Sequence, residues 1–283
     1  MYDARDYFPV INIQEFIKEP SGTSGLLFNK LLGGSYFAEP HKHDFLIIML
    51  FDGGEGTHTI DFKKYSISTH QVHILFPGQV HQWKLQEHTV GYQLMFGREW
   101  YESFFPDLRF SALYYQQHPV FEVSGVLFNA LFYEFQAIQE ELKEQHVFWE
   151  LMQTRCRLIG LLLRQYFEDT WTDFEKYHEN PIISKFVQLI DLHFKSNRSV
   201  SFYAEKLHIS ANYLNIVCKK GMNTAASTLI HDRILLESKR LLKISEMSIK
   251  NIVYDLGFYD NASFSKFFKA HTGMTPSQFR DQG

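Results

Sequence analysis

The carboxy-terminal third contains an internal repeat, and this repeat restricts the possible folds more than any other feature of the chain. The segment "YAEKLHISANYLNIVCKK" aligns with "IVYDLGFYDNASFSKFFK", so that Leu207 matches Leu256 and Ser210 matches Asp260. Each copy reads as a short helix, a tight turn, an N-cap residue and a second amphipathic helix. Gly257 stands where the first helix of the second copy must end, as expected of a residue with positive φ. The sequence therefore predicts two helix-turn-helix units.

The same third of the chain is basic, although the whole chain is acidic. Residues 1–180 contain 14 Lys and Arg against 24 Asp and Glu, whereas residues 181–283 contain 14 against 8. A basic module joined to an acidic remainder suggests that the module binds a polyanion. Chance variation among solvated charges is the alternative explanation.

The second helix of each copy displays small and amide side chains in its first turns and lysines further along. Such side chains at a helix amino end fit the major groove of DNA, and lysines suit its phosphates. A helical stretch at about 224–242 separates the copies by roughly 28 Å, which approaches the ~34 Å between successive major-groove faces. An ordinary helical bundle with solvated charges remains the alternative. The candidate DNA-binding residues are Asn212, Asn215, Ile216, Lys219, Asn261, Ala262, Ser263, Lys266 and Lys269.

The first 115 or so residues have the pattern of β-strands. The segments "DFLIIMLFDGGEGTHTIDFKKYSIS" and "THQVHILFPGQVHQWKL" combine apolar runs or period-2 alternation with Gly-rich and Pro-Gly turns. Short strands with closely spaced turns predict a small β-barrel or sandwich.

Two amphipathic helices are predicted after the strands, at about 124–142 and 147–168. Leu127, Leu131, Ile138 and Leu142 share one stripe of the first helix. These stripes pack either on the barrel and each other or on a second subunit, and periodicity alone leaves both open. The overall expectation is a multidomain α+β protein in which a barrel and a helix pair precede an all-α domain.

The expected domains are a barrel at 1–120, a dimerising helical pair at 121–170, a polar linker at 171–181 and the basic domain at 182–283. Cys156 and Cys218 stand far apart, which suits a reducing cytosol and predicts no disulfide framework. The acidic start lacks the pattern of a signal peptide, and the apolar runs are too short to cross a bilayer. We therefore expect a cytoplasmic protein without a membrane partner.

Three segments of the basic domain resemble the DNA-binding domain of the AraC/XylS family of bacterial transcription regulators. They are "ISANYL", the stretch Arg233–Lys243 and "IKNIVYDLGFYDNASFSKFFKAHTGMTPSQFR". The resemblance implies reading helices near 211–219 and 261–270, and double-stranded DNA and RNA polymerase as partners. Two positions depart from the family pattern: Ile216 stands where many members have arginine, and Cys218 where phenylalanine is usual.

The amino-terminal half resembles the cupin-like sensor domain of the same family more loosely, through "PHKHDF", "DGGEGTHTID" and "FPGQVHQW". This similarity implies an effector-binding barrel with His41, His43, His81 and Trp83 as candidate contacts. Metal-binding cupins also use a glutamate, which "DFLIIML" does not supply, and Asp44 should point away from His43. Three imidazoles can bind zinc. Our expectation is nevertheless hydrogen bonding within the barrel mouth or to an organic ligand, with no metal or cofactor.

The favoured function is a dimeric transcription regulator, an activator or a repressor, that responds to a small-molecule effector. The sequence lacks nucleophile elbows and phosphate loops, so we expect no enzyme activity and no catalytic residues. Two alternatives stay open: a metal-dependent cupin enzyme with a DNA-binding appendage, and a constitutive DNA-binding protein with a structural barrel.

Overall fold

The computed structural model describes residues 10–11, 13, 25–34, 36–98, 100, 116, 118–170, 181–245 and 247–281. They form two compact units, one up to Thr170 and one from Pro181. The expected linker at 171–181 lies outside the described residues, apart from Pro181 at its end. The first nine residues, on which the expectation of no signal peptide rested, also lie outside them.

The first unit contains two five-stranded sheets, ordered β1-β3-β8-β5-β6 and β10-β7-β4-β9-β2. Neighbouring strands are antiparallel except for the parallel pair β1 and β3. The strands are β1 (Val10–Ile11), β2 (Leu26–Leu32), β3 (Tyr36–His43), β4 (Leu46–Gly53), β5 (Gly56–Ile60), β6 (Lys63–Ser66), β7 (Gln71–Leu75), β8 (Val80–Leu85), β9 (Val90–Phe96) and β10 (Val120–Glu122). This arrangement confirms the predicted cupin-like β domain.

Strand β4 shows why the apolar run in this domain does not alternate with polar residues. Ile47 and Met49 belong to the core between the sheets. Leu50 points to the other face, where its register partner Tyr92 contacts Phe132 of the following helix, with ring centroids 4.7 Å apart. Because both faces of β4 are covered, its first six residues are all buried.

Two helices, α1 (Gly125–Glu141) and α2 (Trp149–Thr170), follow the strands as predicted. Their apolar stripes lie inside the unit, where Leu131, Ile138 and Ile159 are fully buried. A nearly buried ion pair between Glu134 and Arg155, 2.7 Å long, joins the two helices. The stripes thus pack within the chain.

The second unit is entirely helical within its described residues. Its helices are α3 (Pro181–His193), α4 (Val200–Lys206), α5 (Ala211–Met222), α6 (Ala226–Ile244), α7 (Ile249–Asp255), α8 (Asn261–Thr272) and α9 (Pro276–Asp281). The pairs α4–α5 and α7–α8 are the two predicted helix-turn-helix units, and α6 connects them. The repeat gave no indication of α3 and α9. Across the described part of the chain, no helix has the length and hydropathy needed to cross a membrane.

Each helix-turn-helix unit contains one residue with left-handed backbone at the same place in its turn. His208 occupies this position in the first unit with φ 56°, and Gly257 occupies it in the second with φ 71°. A Cβ atom on Gly257 would lie 1.9 Å from the carbonyl oxygen of Lys195. Glycine is therefore required in the second turn by contact as well as by conformation, whereas the first turn accommodates histidine.

Replacing Gly257 by alanine should destabilise the second unit strongly. We expect Gly257→Ala to lower the free energy of unfolding by about 3 kcal/mol or more, because a steric clash adds to the left-handed strain. Gly273→Ala is the matched control: its φ is also positive, at 79°, but no atom lies within 4 Å of the added Cβ. The control should cost about 1 kcal/mol. Urea denaturation followed by far-UV circular dichroism measures both changes, and equal losses would contradict this reading of the turn.

Candidate DNA interface and buried histidine cluster

The start of each reading helix, α5 and α8, is fixed by a side-chain cap. The Ser210 hydroxyl accepts a hydrogen bond from the Tyr213 N–H at 3.1 Å, and the Asp260 carboxylate accepts one from the Ser263 N–H at 2.7 Å. Hydrogen bonds from the Ser263 backbone and hydroxyl hold the pKa of Asp260 below its ordinary value. Both helices therefore begin at the residue that the repeat predicts.

Helix α8 separates its buried and exposed faces clearly. Phe264 and Phe268 are fully buried. The predicted contact residues of this helix all lie on its exposed face: Asn261, Ala262, Ser263, Lys266 and Lys269. A polar first turn followed by two lysines is thus open to a ligand.

Helix α5 presents a similar face but differs at one predicted position. Asn212, Ile216 and Lys219 are exposed. The side chain of Asn215, however, donates to the Ala211 carbonyl at 3.2 Å and accepts from the Ala226 N–H at 3.1 Å. The second bond ties α5 to the first residue of α6, whose N-cap, residue 225, makes no side-chain cap bond. Sequence spacing could not show this second role of Asn215.

The loop after α3 contacts the turn of the second helix-turn-helix unit. Lys195 forms a 2.8 Å ion pair with Asp255. Arg198 donates to the Leu256 carbonyl at 2.8 Å, and its guanidinium lies 3.5 Å from the ring centroid of Phe258. The second reading helix is therefore held by the rest of the domain as well as by its own turn.

The predicted effector contacts come together inside the first unit. His41 and His43 lie on β3, while His81 and Trp83 lie on β8, with His41 and His81 directly paired in register. All four side chains are at most 9% exposed. The structure also adds a histidine on β5, His58, whose register partner is Trp83.

A chain of hydrogen bonds links four buried histidines across both sheets. His43 Nε2 lies 2.7 Å from His81 Nε2, and His81 Nδ1 lies 2.9 Å from His58 Nε2. His58 Nδ1 lies 2.8 Å from His73 Nδ1, and His73 Nε2 lies 3.2 Å from the side-chain oxygen of Gln71. The chain therefore runs from β3 in one sheet to β7 in the other.

Burial favours the neutral form of His58, His73 and His81. It lowers the pKa of His73 to about 3. Burial and the neighbouring His73 and His41 lower the pKa of His58 well below its ordinary value. The pKa of His81 is well below its ordinary value for the same reasons, burial first and then the surrounding histidines. Neutral imidazole is also the form that can bind a metal ion.

His58 and His73 were not among the site residues predicted from the sequence. Both stand inside strands: His73 lies between Val72 and Ile74 in "QVHIL", and His58 shares the alternating face of Ile60 in "GTHTI". All five residues of β7 are buried, so alternation did not show which of its residues face the interior. Within the described residues, the histidines His41, His43 and His81 form a group with potential ligand atoms within 4.8 Å of one another.

Two family models match the chain in separate regions. An AraC-like ligand binding domain matches residues 33–119, and a helix-turn-helix domain matches residues 203–282. The first match covers strands β3 to β9, which include all the strands that carry the clustered histidines. The second match covers both helix-turn-helix units.

Among the proteins that this chain resembles are two regulators and one solved structure. The Msm operon regulatory protein of Streptococcus mutans is 31% identical over 35% of this chain, which spans 36% of that relative. The transcriptional activator RhaS of Escherichia coli is 24% identical to this chain. The alignment covers 92% of this chain and 94% of the length of RhaS. The fatty-acid-bound structure of ToxT from Vibrio cholerae aligns with 91% of this chain and 95% of the ToxT chain, with 16% identity and a TM-score of 0.40.

The order of the two matched domains is the one that the sequence motifs predict, with the ligand-binding sheets first and the paired helix-turn-helix units last. The transcriptional activator RhaS aligns over nearly the whole length of both chains. This chain belongs to the AraC/XylS family of transcription regulators.

Proposed function

We propose that this protein regulates transcription by binding specific DNA sequences through α5 and α8, under the control of a small molecule bound in its first unit. The observation that carries the proposal is the pair of capped reading helices, each with an exposed polar first turn and lysines beyond it. The protein acts as a binding module without enzyme activity, and its place of action is the cytoplasm.

The exposed face of α8 divides into two kinds of contact. Asn261 stands in the first turn, where an amide can form two hydrogen bonds with an adenine edge. Ala262 and Ser263 are small enough to let the helix approach the bases. Lys266 and Lys269 lie further along and bind phosphates. In α5, Asn212 and Lys219 have the corresponding roles, and the exposed Ile216 contacts a thymine methyl group.

One chain carries two such helices, and α6 determines their spacing. This helix has 19 residues. It is therefore roughly 28 Å long, close to the distance between successive major grooves on one side of B-DNA. The basic charge of the domain supports the same interpretation, because neutralised phosphates release counterions. RNA polymerase is the protein partner that the family membership implies.

The helix pair of the first unit offers a surface for a second copy of the chain. Leu158 and Leu161 are 41% and 38% exposed on one face of α2. They stand one turn apart on the helix. In a symmetric dimer, Leu158 and Leu161 of one copy can therefore pack against Leu158 and Leu161 of the other. This homodimer would place four reading helices on neighbouring DNA sites.

The effector is a small molecule that reaches the interior of the double sheet. Its proposed contacts are His41, His43, His81 and Trp83, which offer hydrogen-bonding nitrogens beside an aromatic face. His41 and His81 have ring centroids 4.4 Å apart, and Trp83 lies 5.2 Å from His81. A thermal-shift screen of metabolites against wild type and Trp83→Ala tests this assignment, because a true effector should stabilise only the wild type.

Asn261→Ala and Lys266→Ala should affect DNA binding differently. The preferred site is first selected from random duplexes with the wild-type protein. Loss of the asparagine should cost about 1–3 kcal/mol and relax the preference at one base pair. Loss of the lysine should weaken all duplexes alike and reduce the salt slope by about one unit. Fluorescence anisotropy over a salt series measures both effects, and an identical uniform loss in the two variants would exclude base reading by Asn261.

Leu158→Glu should give a folded monomer, whereas the neighbouring Ile159→Glu should unfold the first unit. The first change places a charge on the proposed dimer surface. The second buries an unpaired carboxylate at a fully buried position, which costs several kcal/mol. Analytical ultracentrifugation at tens of micromolar protein reports the oligomeric state, and circular dichroism reports folding. A wild type that sediments as a monomer, or a Leu158→Glu variant that stays dimeric, would rule out this surface.

A further inference from the structure

We propose that His41, His43 and His81 form a binding site for a divalent cation of the zinc class. His58, His73 and Gln71 do not bind the ion but orient the ligand side chains through a chain of hydrogen bonds. This inference deepens the proposed sensory role of the first unit and does not depend on DNA binding. It differs from the expectation drawn from the sequence, which assigned no metal because a carboxylate ligand is missing. The position of the proton on each imidazole determines which nitrogens can bind the ion.

The hydrogen-bond chain assigns the protons beginning at Gln71. The side-chain oxygen of Gln71 accepts the backbone N–H of Ser68 at 3.1 Å, so this atom is an acceptor. His73 Nε2, 3.2 Å from the same oxygen, must therefore carry a proton. Since the ring is neutral, His73 Nδ1 has a lone pair and accepts from His58 Nδ1.

The proton positions in the other sheet follow from the bond between His58 and His73. With its proton on Nδ1, neutral His58 has a lone pair on Nε2, which accepts from His81 Nδ1 at 2.9 Å. His81 therefore has the lone pair of its Nε2 directed at His43. A histidine that donates from one ring nitrogen and offers the other as a ligand is the usual arrangement at protein metal sites.

His41 reaches the same state by a separate route. Its Nδ1 lies 3.0 Å from the backbone carbonyl oxygen of Glu39, which can only accept, so the proton is on Nδ1 and the lone pair on Nε2. Two of the three proposed ligands are thus prepared by their surroundings to bind through Nε2.

His43 is the ligand whose proton must move when the cation binds. Its Nε2 lies 2.7 Å from His81 Nε2, which already holds a lone pair, so without a cation the His43 Nε2 donates its proton to His81. With a cation between them, the His43 proton resides on Nδ1 and both Nε2 lone pairs bind the ion. The ring remains neutral, and no proton is lost.

The geometry suits a tetrahedral ion with one position open. Three nitrogens at about 2.0–2.1 Å from zinc lie roughly 3.3 Å apart. The potential ligand atoms of the group already lie within 4.8 Å of one another, so small side-chain rotations suffice. Three imidazoles without a carboxylate form a complete zinc ligand set, with water or a ligand oxygen in the fourth position. Imidazole nitrogen also favours zinc and similar transition metals over magnesium or calcium.

Zinc titration of the untagged full-length protein, dialysed first against a chelator, tests the site. We expect calorimetry to give one Zn²⁺ per chain with a dissociation constant below about 1 µM. Cobalt substitution should produce the intense visible absorption of a tetrahedral ion. His41→Gln and His81→Ala should each weaken zinc binding by about 100-fold or more, because each removes one ligand nitrogen.

Two further variants separate the ligands from the residues that orient them. His58→Phe keeps all three ligands but removes the acceptor of His81 Nδ1, so zinc affinity should fall about 10–100-fold. His88→Ala, a change at an exposed histidine outside the cluster, should bind zinc as the wild type does. Circular dichroism and DNA affinity confirm that each variant is folded. If His81→Ala does not fold, His41→Gln alone tests the loss of a ligand.

Three results would overturn the proposal. They are a wild type that binds zinc more weakly than about 1 µM, a folded His41→Gln that binds as wild type, and a loss in His88→Ala equal to that in His41→Gln. An unchanged affinity in folded His58→Phe would overturn the orienting role. Since DNA binding is measured separately, a failed zinc titration leaves the proposed DNA-binding function in place.

Discussion

Each reading helix depends on a single residue held in the left-handed conformation. His208 and Gly257 reverse the chain after a short helix, and this reversal brings the capped start of the next helix to the surface. A cap then fixes the first polar turn, and buried side chains such as Phe264 fix the helix axis. In the second unit the reversal is also packed against the Lys195 carbonyl, so the two halves of the domain constrain one another.

The first unit places polar rings inside an otherwise apolar core. Buried polar groups are costly unless each has a partner, and a fully connected network can meet this requirement. Here His81, His58 and His73 are partners of one another, and the chain ends on Gln71. The same connections leave little freedom in tautomer or orientation. The hydrogen bonds therefore fix the direction in which each ring nitrogen points. Hydrophobic packing alone would not fix it.

The repeat and its caps could be predicted from the sequence because they depend on neighbours along the chain. The buried positions of Leu214 and Phe264 follow from helical periodicity, and the ends of α5 and α8 follow from Ser210 and Asp260. Properties set by distant contacts could not be predicted. Periodicity marked Leu131 without showing that it is covered within the chain, and the bond from Ala226 to Asn215 joins separate helices. The histidine chain depends on strand register across two sheets.

Trp83 gives the histidine cluster an optical reporter. Its ring lies 5.2–5.9 Å from the rings of His41, His58 and His81, so its fluorescence responds to changes in their charge or ligation. No tryptophan follows residue 171 in the sequence, which leaves the helix-turn-helix units without this chromophore. Trp100, Trp149 and Trp171 also emit, so the part of the emission that a Trp83→Phe change removes is the part that observes the interior of the sheets, even while the intact protein is bound to DNA.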